Sequence, residues 1–357
     1  MDADEVLRRR LATQHLTGPA AATPTQVVSD LLCVQAQEDR EARAMVAYRC
    51  EAGAVSAVDA ALAAGEIIRT HVLRPTWHFV AADDLRWLLA LTSPKVEAGM
   101  ASRHRQLSLD ADLLDSGIGA IADRLAGRSF ADRRALGTAL VEAGLLDASD
   151  PLFGQRVGHL LLVAELRAVI CSAPQASAQH TYALVSEVVP ETPARSRDEA
   201  LTELVTRFIT SHGPVTLKDL QRWTPLTLVD IRTGLANAAG LTSTTVDGVE
   251  LWHGTAVPDE VRPRRGWLLS CFDEAYLSYR PPSFRRTAGH PSGDAADWFI
   301  ANRGGPVLLD GRDVGTWQRK AAKPEPQVTL KLDPGLTAGE RAAVDEAADL
   351  LRATFAR

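Results

Sequence analysis

Two glutamines separated by one residue, Gln35 and Gln37, form the first group of side chains that could do chemistry together. Each amide offers a carbonyl acceptor and N–H donors, so the pair can hold a water molecule in place. Amides are poor general bases, and such a pair suits a substrate whose scissile bond is already weak. Residues two apart share one face of an extended chain but lie about 200° apart on a helix. We therefore expect an extended or turn segment at a break between helices; the alternative is two solvated glutamines at a helix end.

Arginines form the second group, because they occur in clusters although the net charge of the chain is −6. The overall charge disfavours a nucleic-acid partner, but the distribution of charge is the stronger indicator. Acidic residues concentrate elsewhere, notably near the C-terminus, so a basic groove on an acidic body is consistent with the sequence. The alternative is a set of ordinary solvated arginines. The candidates for phosphate contacts are Arg69, Arg74, Arg262, Arg264 and Arg265.

The other titratable candidates are two adjacent carboxylates and four cysteines. Asp273 and Glu274, close to Tyr276, have the form of an acid pair for general catalysis. The favoured alternative is a hydrogen-bonded node in a β-rich domain. The four cysteines are scattered, with no Cys-x-x-Cys pair and no histidine at metal-ligand spacing. We therefore expect buried thiols in a reducing compartment, and neither a metal nor another cofactor.

Composition indicates a globular protein of several compact units. Of the 357 residues, 46% are hydrophobic and 24% are charged, and this length favours roughly two to four units. No run approaches the roughly 18 consecutive apolar residues that a membrane span requires. The acidic N-terminus lacks the basic and apolar regions of a signal peptide. We expect a cytoplasmic protein without membrane contact, associated with the nucleoid if DNA is its partner.

One order of elements repeats along the chain without an obvious sequence repeat: helices followed by a short two-stranded hairpin, as in a winged helix. In the first copy, Thr23-Pro24 opens a helix with a cap followed by proline. Pro94 is expected to end the helix that follows the hairpin. The predicted elements are helices over 6–14, 24–32 and 40–49, strands over 67–73 and 76–80, and a helix from Asp83.

Two further copies and a different C-terminal region follow. Asp247-Gly248 in the third hairpin is the strongest two-residue turn signal in the chain. After Pro258, short β runs between Gly/Pro-rich turns predict a β-rich domain, closed by a helix from Ala338. We therefore expect an α+β fold with three tandem winged-helix (helix-turn-helix) units and a C-terminal β-rich domain. The expected boundaries are 1–112, 113–194, 195–257 and 258–357.

Several stretches, taken in their order and spacing, resemble the AlkZ/YcaQ-type winged-helix DNA glycosylases. Each is short, but together they span nearly the whole chain. The Gln-x-Gln motif is similar to that of the AlkZ branch, since the YcaQ branch has Gln-x-Asp. The stretches are Cys33-Val34-Gln35-Ala36-Gln37, Arg74-Pro75-Thr76-Trp77-His78-Phe79, HLLLVAELRAVICS ending at Ser172, Gln179-His180-Thr181-Tyr182, Phe272–Tyr276 and Leu309–Trp317.

The resemblance implies a reaction, a partner and an architecture. It implies three winged-helix units around a basic channel that holds double-stranded DNA carrying alkylated purines. The implied activity is that of a monofunctional glycosylase, with Gln35 and Gln37 catalytic and no cofactor, in self-resistance to DNA-alkylating natural products. A purine alkylated at guanine N7 or adenine N3 is cationic and departs as a neutral base, which supplies the weak bond that the glutamines need. The resemblance also points to DNA contacts by Thr76 and His78; a structural histidine is the alternative for His78.

Two other functions remain compatible with the sequence. A non-catalytic winged-helix regulator predicts sequence-specific binding, normally as a dimer on two half-sites. The chain shows no obvious dimerisation helix, so we expect a monomer and rank the regulator second. A protein that sequesters the genotoxin ranks third, and it predicts binding of the free compound without DNA.

Overall fold

The computed structural model describes residues 1–51, 53–174, 180–256, 258, 265–279, 304–320 and 327–355. Within these ranges, helices are combined with small antiparallel sheets, which agrees with the predicted α+β class. None of the helices described is both long and apolar enough to cross a membrane.

One order of elements occurs three times: a helix, a short strand or bridge, two helices and a hairpin. The first occurrence follows α1 (Ala3–Thr13). Its first helix begins as the sequence predicts, because Thr23 accepts a hydrogen bond from Gln26 N and Pro24 is the first helical residue. In its sheet, β1 pairs with β3 and β3 with β2. The elements are α2 (Pro24–Asp30), β1 (Val34–Gln35), α3 (Asp39–Ala47), α4 (Val55–Ala63), β2 (Ile67–His71) and β3 (Trp77–Ala81).

The second occurrence has the same strand order, and two helices, α5 (Ala82–Gly99) and α6 (Ala101–Gln106), connect it to the first. Here β4 pairs with β6 and β6 with β5, so the last strand of the hairpin again lies in the middle. A short helix, α10 (Val185–Val188), follows the hairpin. The elements are α7 (Ala111–Leu125), β4 (Ala131–Asp132), α8 (Arg133–Glu142), α9 (Phe153–Leu166), β5 (Ile170–Ser172) and β6 (Thr181–Leu184).

In the third occurrence, a bridge between Val215 and Trp252 takes the place of the short strand. All three of its helices begin with a capping box, which satisfies N–H groups that a helix cannot pair internally. The Asp247-Gly248 turn is confirmed, with φ of +49° and +78° as a type I′ turn requires. The elements are α11 (Arg197–His212), α12 (Leu217–Trp223), α13 (Leu228–Asn237), β7 (Leu241–Val246) and β8 (Val249–Gly254).

The C-terminal region forms a four-stranded antiparallel sheet in the order β12–β11–β10–β9. The terminal helix packs on this sheet, since its buried Val344 and Leu351 share a core with Trp267 and Trp317. The predicted β-rich region with a terminal helix is therefore observed. The elements are β9 (Gly266–Leu268), α14 (Glu274–Leu277), β10 (Gly304–Leu309), β11 (Arg312–Lys320), β12 (Gln327–Leu332) and α15 (Ala338–Phe355).

The cores cross the predicted domain boundaries. Leu11, next to the end of α1, and Tyr48, at the end of α3, pack in the same core as Trp317 of the C-terminal sheet. A second core joins Leu88 of α5 and Phe208 of α11 to residues of all three repeated units. Two further cores lie almost entirely within the first and the second unit, so the shared cores join units that also have interiors of their own.

Two expectations about the first copy are wrong. Helix α4 was not predicted, because its sequence is dominated by alanine and lacks a clear alternation of polar and apolar residues. Pro94 does not end α5, which continues to Gly99. Proline removes one helical hydrogen bond, but Leu91 and Val96 on either side are buried, and this packing maintains the helix.

A buried ion pair joins the end of α3 to the C-terminal region. Arg49 donates from Nη2 and Nη1 to the two carboxylate oxygens of Asp273, at 2.7 and 3.0 Å. Both side chains are almost completely buried. Arg49 also donates to the backbone carbonyls of Gln14 and Met45. The charge is thus paired and hydrogen-bonded on several sides, as a buried charge must be.

Replacing Arg49 by methionine is expected to lower the free energy of unfolding by about 3–5 kcal/mol, because the Asp273 carboxylate would stay buried without its partner. Arg352→Met is the control, since it removes only an exposed pair with Asp349 and should leave the stability almost unchanged. Urea denaturation of the two variants measures the difference. Similar stability of both variants would contradict a structural role for the buried pair.

Candidate active site

The Gln-x-Gln motif lies in the extended segment that the sequence predicts. Gln35 is the second residue of β1 and pairs with His78 of β3, and Val34 pairs with Phe79. The antiparallel contact continues one residue further, because Ala36 N donates to Trp77 O at 2.7 Å. Gln37 lies in the bend that follows this pairing. The expectation of an extended or turn segment, at a break between helices, is therefore confirmed.

The junction that follows β1 is longer than the matching junctions of the other two units. In the second unit α8 follows β4 directly, and Asp132 caps it by accepting from Ala135 N. In the third unit Thr216 follows the bridging residue Val215 and caps α12. In the first unit residues 36–38 separate β1 from α3, and Glu38 makes no side-chain cap. Gln37 lies in this added segment.

The two glutamine side chains differ in exposure and in their partners. Gln35 is only 5% exposed, and its Oε1 accepts from Arg74 Nη2 at 2.8 Å. Gln37 is exposed, and its Oε1 lies 3.4 Å from the backbone N of Trp77, which donates to it. One amide is therefore fixed inside the protein, while the other reaches the surface next to it.

Arg69 holds the backbone between the two glutamines. Its Nε and Nη2 donate to Ala36 O at 3.1 and 2.9 Å. Its guanidinium also lies over the Trp77 ring, 4.2 Å from the centroid, and Asp39 is 3.9 Å away. Burial, the largest effect, lowers the pKa of Arg69 from its ordinary value. In this structure Arg69 binds the motif itself, so its expected phosphate contact stays a prediction without geometric support.

Arg74 and His78 form a second set of contacts behind Gln35. His78 is completely buried, and its Nδ1 lies 2.8 Å from Thr76 O, which can only accept, so Nδ1 carries a proton. Burial, followed by the charge of Arg74, lowers the pKa of His78 to about 3, so the ring is neutral. Its Nε2 is then an acceptor, 3.5 Å from Arg74 Nη2. His78 has no exposed surface with which to make the expected DNA contact. Its Nε2 instead accepts a hydrogen bond from Arg74.

The adjacent carboxylates Asp273 and Glu274 are both internal, as the hydrogen-bonded alternative requires. Asp273 pairs with Arg49, while Oε1 of Glu274 accepts from the backbone N of Gln35 at 3.2 Å. Burial raises the pKa of Glu274, but the neighbouring His212, Ser278 and Arg74 outweigh it and hold the pKa at about 2. Glu274 is therefore ionised directly behind the motif.

The remaining predicted residues lie in different places. Thr76 is half-buried at the start of β3, and its hydroxyl has no hydrogen-bond partner in the part of the chain that the structure describes. Arg265 is about half exposed and pairs with Asp310, with Nη2 and Oδ2 2.6 Å apart. Arg262 and Arg264 lie outside the described residues. The DNA contact expected of Thr76 and the phosphate contacts expected of the three arginines stay predictions.

One contact next to the motif has no signal in the sequence. Arg319 of β11 donates to Glu38 at 3.1 Å, across a separation of 281 residues. An arginine in a strand of mixed polarity gives no indication of such a distant partner. Together with Glu274, it shows that the C-terminal region contacts Gln35 and the residue that follows Gln37.

Comparisons with known proteins agree with this arrangement. A family model described as DNA glycosylase AlkZ-like matches residues 28–354, which contain all of the contacts above. The chain belongs to the AlkZ-like DNA glycosylase family. The predicted resemblance is confirmed, and membership of the family supports a DNA glycosylase that acts on DNA.

The fold of this family member is similar to one that has been solved. The solved structure of Streptomyces sahachiroi DNA glycosylase AlkZ matches with a TM-score of 0.75 and 21% sequence identity, over 99% of this chain and 97% of that chain. At this identity the likeness concerns the fold. A search of curated proteins finds no match.

His78 is expected to make the folded protein sensitive to acid. Because its folded-state pKa of about 3 lies below the ordinary 6.5, the unfolded chain binds a proton between these values that the folded protein does not. The free energy of unfolding therefore falls as the pH is lowered through this window, at up to about 1.4 kcal/mol per pH unit for one group.

Urea unfolding of the wild type and of His78→Gln, between pH 6.5 and 5, measures this contribution. The variant has no titrating group at this position, and its stability should decline less steeply than that of the wild type. Equal slopes would show that His78 accepts its proton in the folded protein, which contradicts a buried neutral ring.

Proposed function

We propose that this protein is a monofunctional DNA glycosylase that hydrolyses the N-glycosidic bond of bulky cationic alkylpurines, such as N7-alkylguanine and N3-alkyladenine. The observation that carries the proposal is the non-helical Gln35-Ala36-Gln37 segment at the junction of β1 and α3, with one amide anchored by Arg74 and the other exposed beside it. The chain belongs to a family of DNA glycosylases, which supports the reaction class.

The two amides have complementary tasks in the proposed reaction. Arg74 fixes the orientation of the Gln35 amide, whose N–H₂ group can donate and whose oxygen has a second lone pair. Gln37 is exposed and can reach the sugar of a bound duplex. Between them they orient a water molecule toward the anomeric carbon, with the water already in attacking position.

The absence of a strong base in this scheme matches the chemistry of the substrate. Alkylation at guanine N7 or adenine N3 gives the purine a positive charge, so it leaves as a neutral base without protonation. The sugar then approaches an oxocarbenium ion, water adds to its anomeric carbon, and the proton that the added water loses passes to solvent. His78 is neutral and buried behind Arg74, and Gln35 is nearly buried as well, which leaves Gln37 as the exposed amide of the motif.

The proposed activity has no lyase step, because that step needs an amine nucleophile. The chain contains five lysines, and the repeated unit that carries the two glutamines has none of them. Hydrolysis by water leaves an abasic site in an intact strand. The lysines are Lys95, Lys218, Lys320, Lys323 and Lys331.

We further propose that the three repeated units are winged helices, arranged as a monomer around a channel for duplex DNA. Their common strand order, with the last hairpin strand in the middle, supports this interpretation. The exposure of Gln37 favours attack on a lesion that stays in the duplex rather than on a base flipped into a pocket. An open site of this kind suits large adducts, and hence self-resistance to a DNA-alkylating natural product.

The direct test is excision from a duplex that carries one N7-alkylguanine, followed by alkali, which breaks the strand at an abasic site. The wild type should give a break at the lesion. Gln35→Ala and Gln37→Ala should each lower the single-turnover rate constant on the order of 100-fold or more, because the water loses its orientation. The double variant should show no break above background.

Gln106→Ala is the matched control, since this glutamine is exposed at the end of α6. It should keep the wild-type rate constant. Wild-type protein that binds the duplex without excising the base would contradict the glycosylase and favour a regulator. Wild-type rates in both Gln variants would remove the two amides from catalysis but leave the activity intact.

Treatment of the reaction with borohydride is expected to trap no covalent protein–DNA adduct, because a hydrolytic enzyme forms no imine. The damaged strand should stay intact on a denaturing gel until alkali is added. A shifted protein–DNA band after reduction would reveal an amine nucleophile and contradict the monofunctional mechanism.

A further inference from the structure

Glu274 is a buried carboxylate that reaches the Gln-x-Gln segment from the C-terminal region. It is 1% exposed and lies in α14. Its Oε1 accepts from the backbone N of Gln35 at 3.2 Å. Its Oε2 accepts from Trp223 Nε1 at 2.9 Å and from Ser278 Oγ at 2.7 Å. The same carboxylate therefore joins the third repeated unit, α14 and the first glutamine.

Glu274 also acts on the side chain of Gln35, through its electrostatic interaction with Arg74. Arg74, which holds Gln35 Oε1, is largely buried, and burial lowers its pKa. The negative charge of Glu274 acts in the opposite direction and raises the pKa of Arg74. A buried cation needs an anion nearby. Glu274 thus bonds the Gln35 backbone directly and stabilises the guanidinium that holds the Gln35 amide.

We propose that Glu274 is a positioning residue for the excision reaction, which fixes both the backbone and, through Arg74, the side-chain amide of Gln35. The inference rests on the proposed function, because it assumes that Gln35 orients the attacking water. It assigns to the C-terminal region a part in the chemistry, although that region carries neither glutamine.

The adjacent residue Asp273 provides a matched control. It is equally buried and ionic, but it binds Arg49 instead of the motif. Both Glu274→Gln and Asp273→Asn remove one buried negative charge from the same segment while keeping nearly the same shape. An effect that comes only from weakened folding should therefore appear in both variants.

The Glu274→Gln change has a definite consequence for the hydrogen bonds. One carboxylate oxygen becomes an N–H₂ donor, and it must face either the N–H of Gln35 or the N–H of Trp223. Two donors then oppose each other at a buried position, and Arg74 also loses its anion. The Gln35 amide should lose its fixed orientation, even though both glutamines are still present.

The experiment measures the single-turnover excision rate and the duplex dissociation constant at equal concentrations of folded protein. Glu274→Gln should lower the rate constant on the order of 100-fold, as misplaced catalytic groups do, with little change in DNA affinity. Asp273→Asn should retain the rate of the wild type. Glu274→Asp, which keeps the charge but shortens the side chain, should lie between Glu274→Gln and the wild type.

A double-mutant cycle with Gln35→Ala separates positioning from general destabilisation. If Glu274 acts through Gln35, Glu274→Gln should cause no further loss in the Gln35→Ala background. Multiplying losses, or equal losses in Glu274→Gln and Asp273→Asn, would overturn the inference. If Glu274→Gln does not fold, full activity of Glu274→Asp at unchanged affinity would overturn it. A wild-type rate for Gln35→Ala would instead contradict the proposed function.

Discussion

The pairing of β1 with β3 is the constraint on which the candidate site depends. It holds Gln35 opposite His78 and keeps the next residue extended through the Ala36–Trp77 hydrogen bond. From this fixed backbone, three charged side chains each reach a different atom. Arg69 binds the Ala36 carbonyl, Arg74 binds the Gln35 amide oxygen, and Glu274 binds the Gln35 backbone nitrogen. A helical motif would present none of these atoms in the same directions.

Local signals in the sequence predicted much of the fold and the position of the motif. The cap at Thr23-Pro24, the Asp247-Gly248 turn and the position of the Gln-x-Gln motif at a break between helices depend on neighbouring residues, and all three are observed. The errors arise where packing outweighs local preference, as at Pro94. The contacts of Gln35 with Glu274 and of Glu38 with Arg319 span 239 and 281 residues. A local sequence pattern contains no information about such distant pairs. The contacts of Glu274 and Arg319 therefore could not be predicted from the sequence.

The C-terminal region is physically continuous with the first repeated unit. The ends of α1 and α3 share its core, and Arg49 forms a buried ion pair with Asp273. Glu274 contacts Gln35, and Arg319 contacts Glu38 next to the motif. These contacts combine buried apolar surface with buried charges. Separating the two regions would therefore expose the apolar side chains and leave the buried charges without their partners. The motif is thus held by elements far apart in the chain, which gives its backbone less freedom than a loop normally has.

The three residues between β1 and α3 also show how a repeated scaffold can present a polar side chain at one of its junctions. The second unit has no residue between its strand and helix, and the third has only a capping threonine. Lengthening one junction brings a polar side chain to the surface while the helices and hairpin keep their packing. A polar group can therefore be added, by evolution or by design, at a strand-to-helix connection of such an array without rearrangement of the interior, and the two short junctions of this chain are natural places to attempt it.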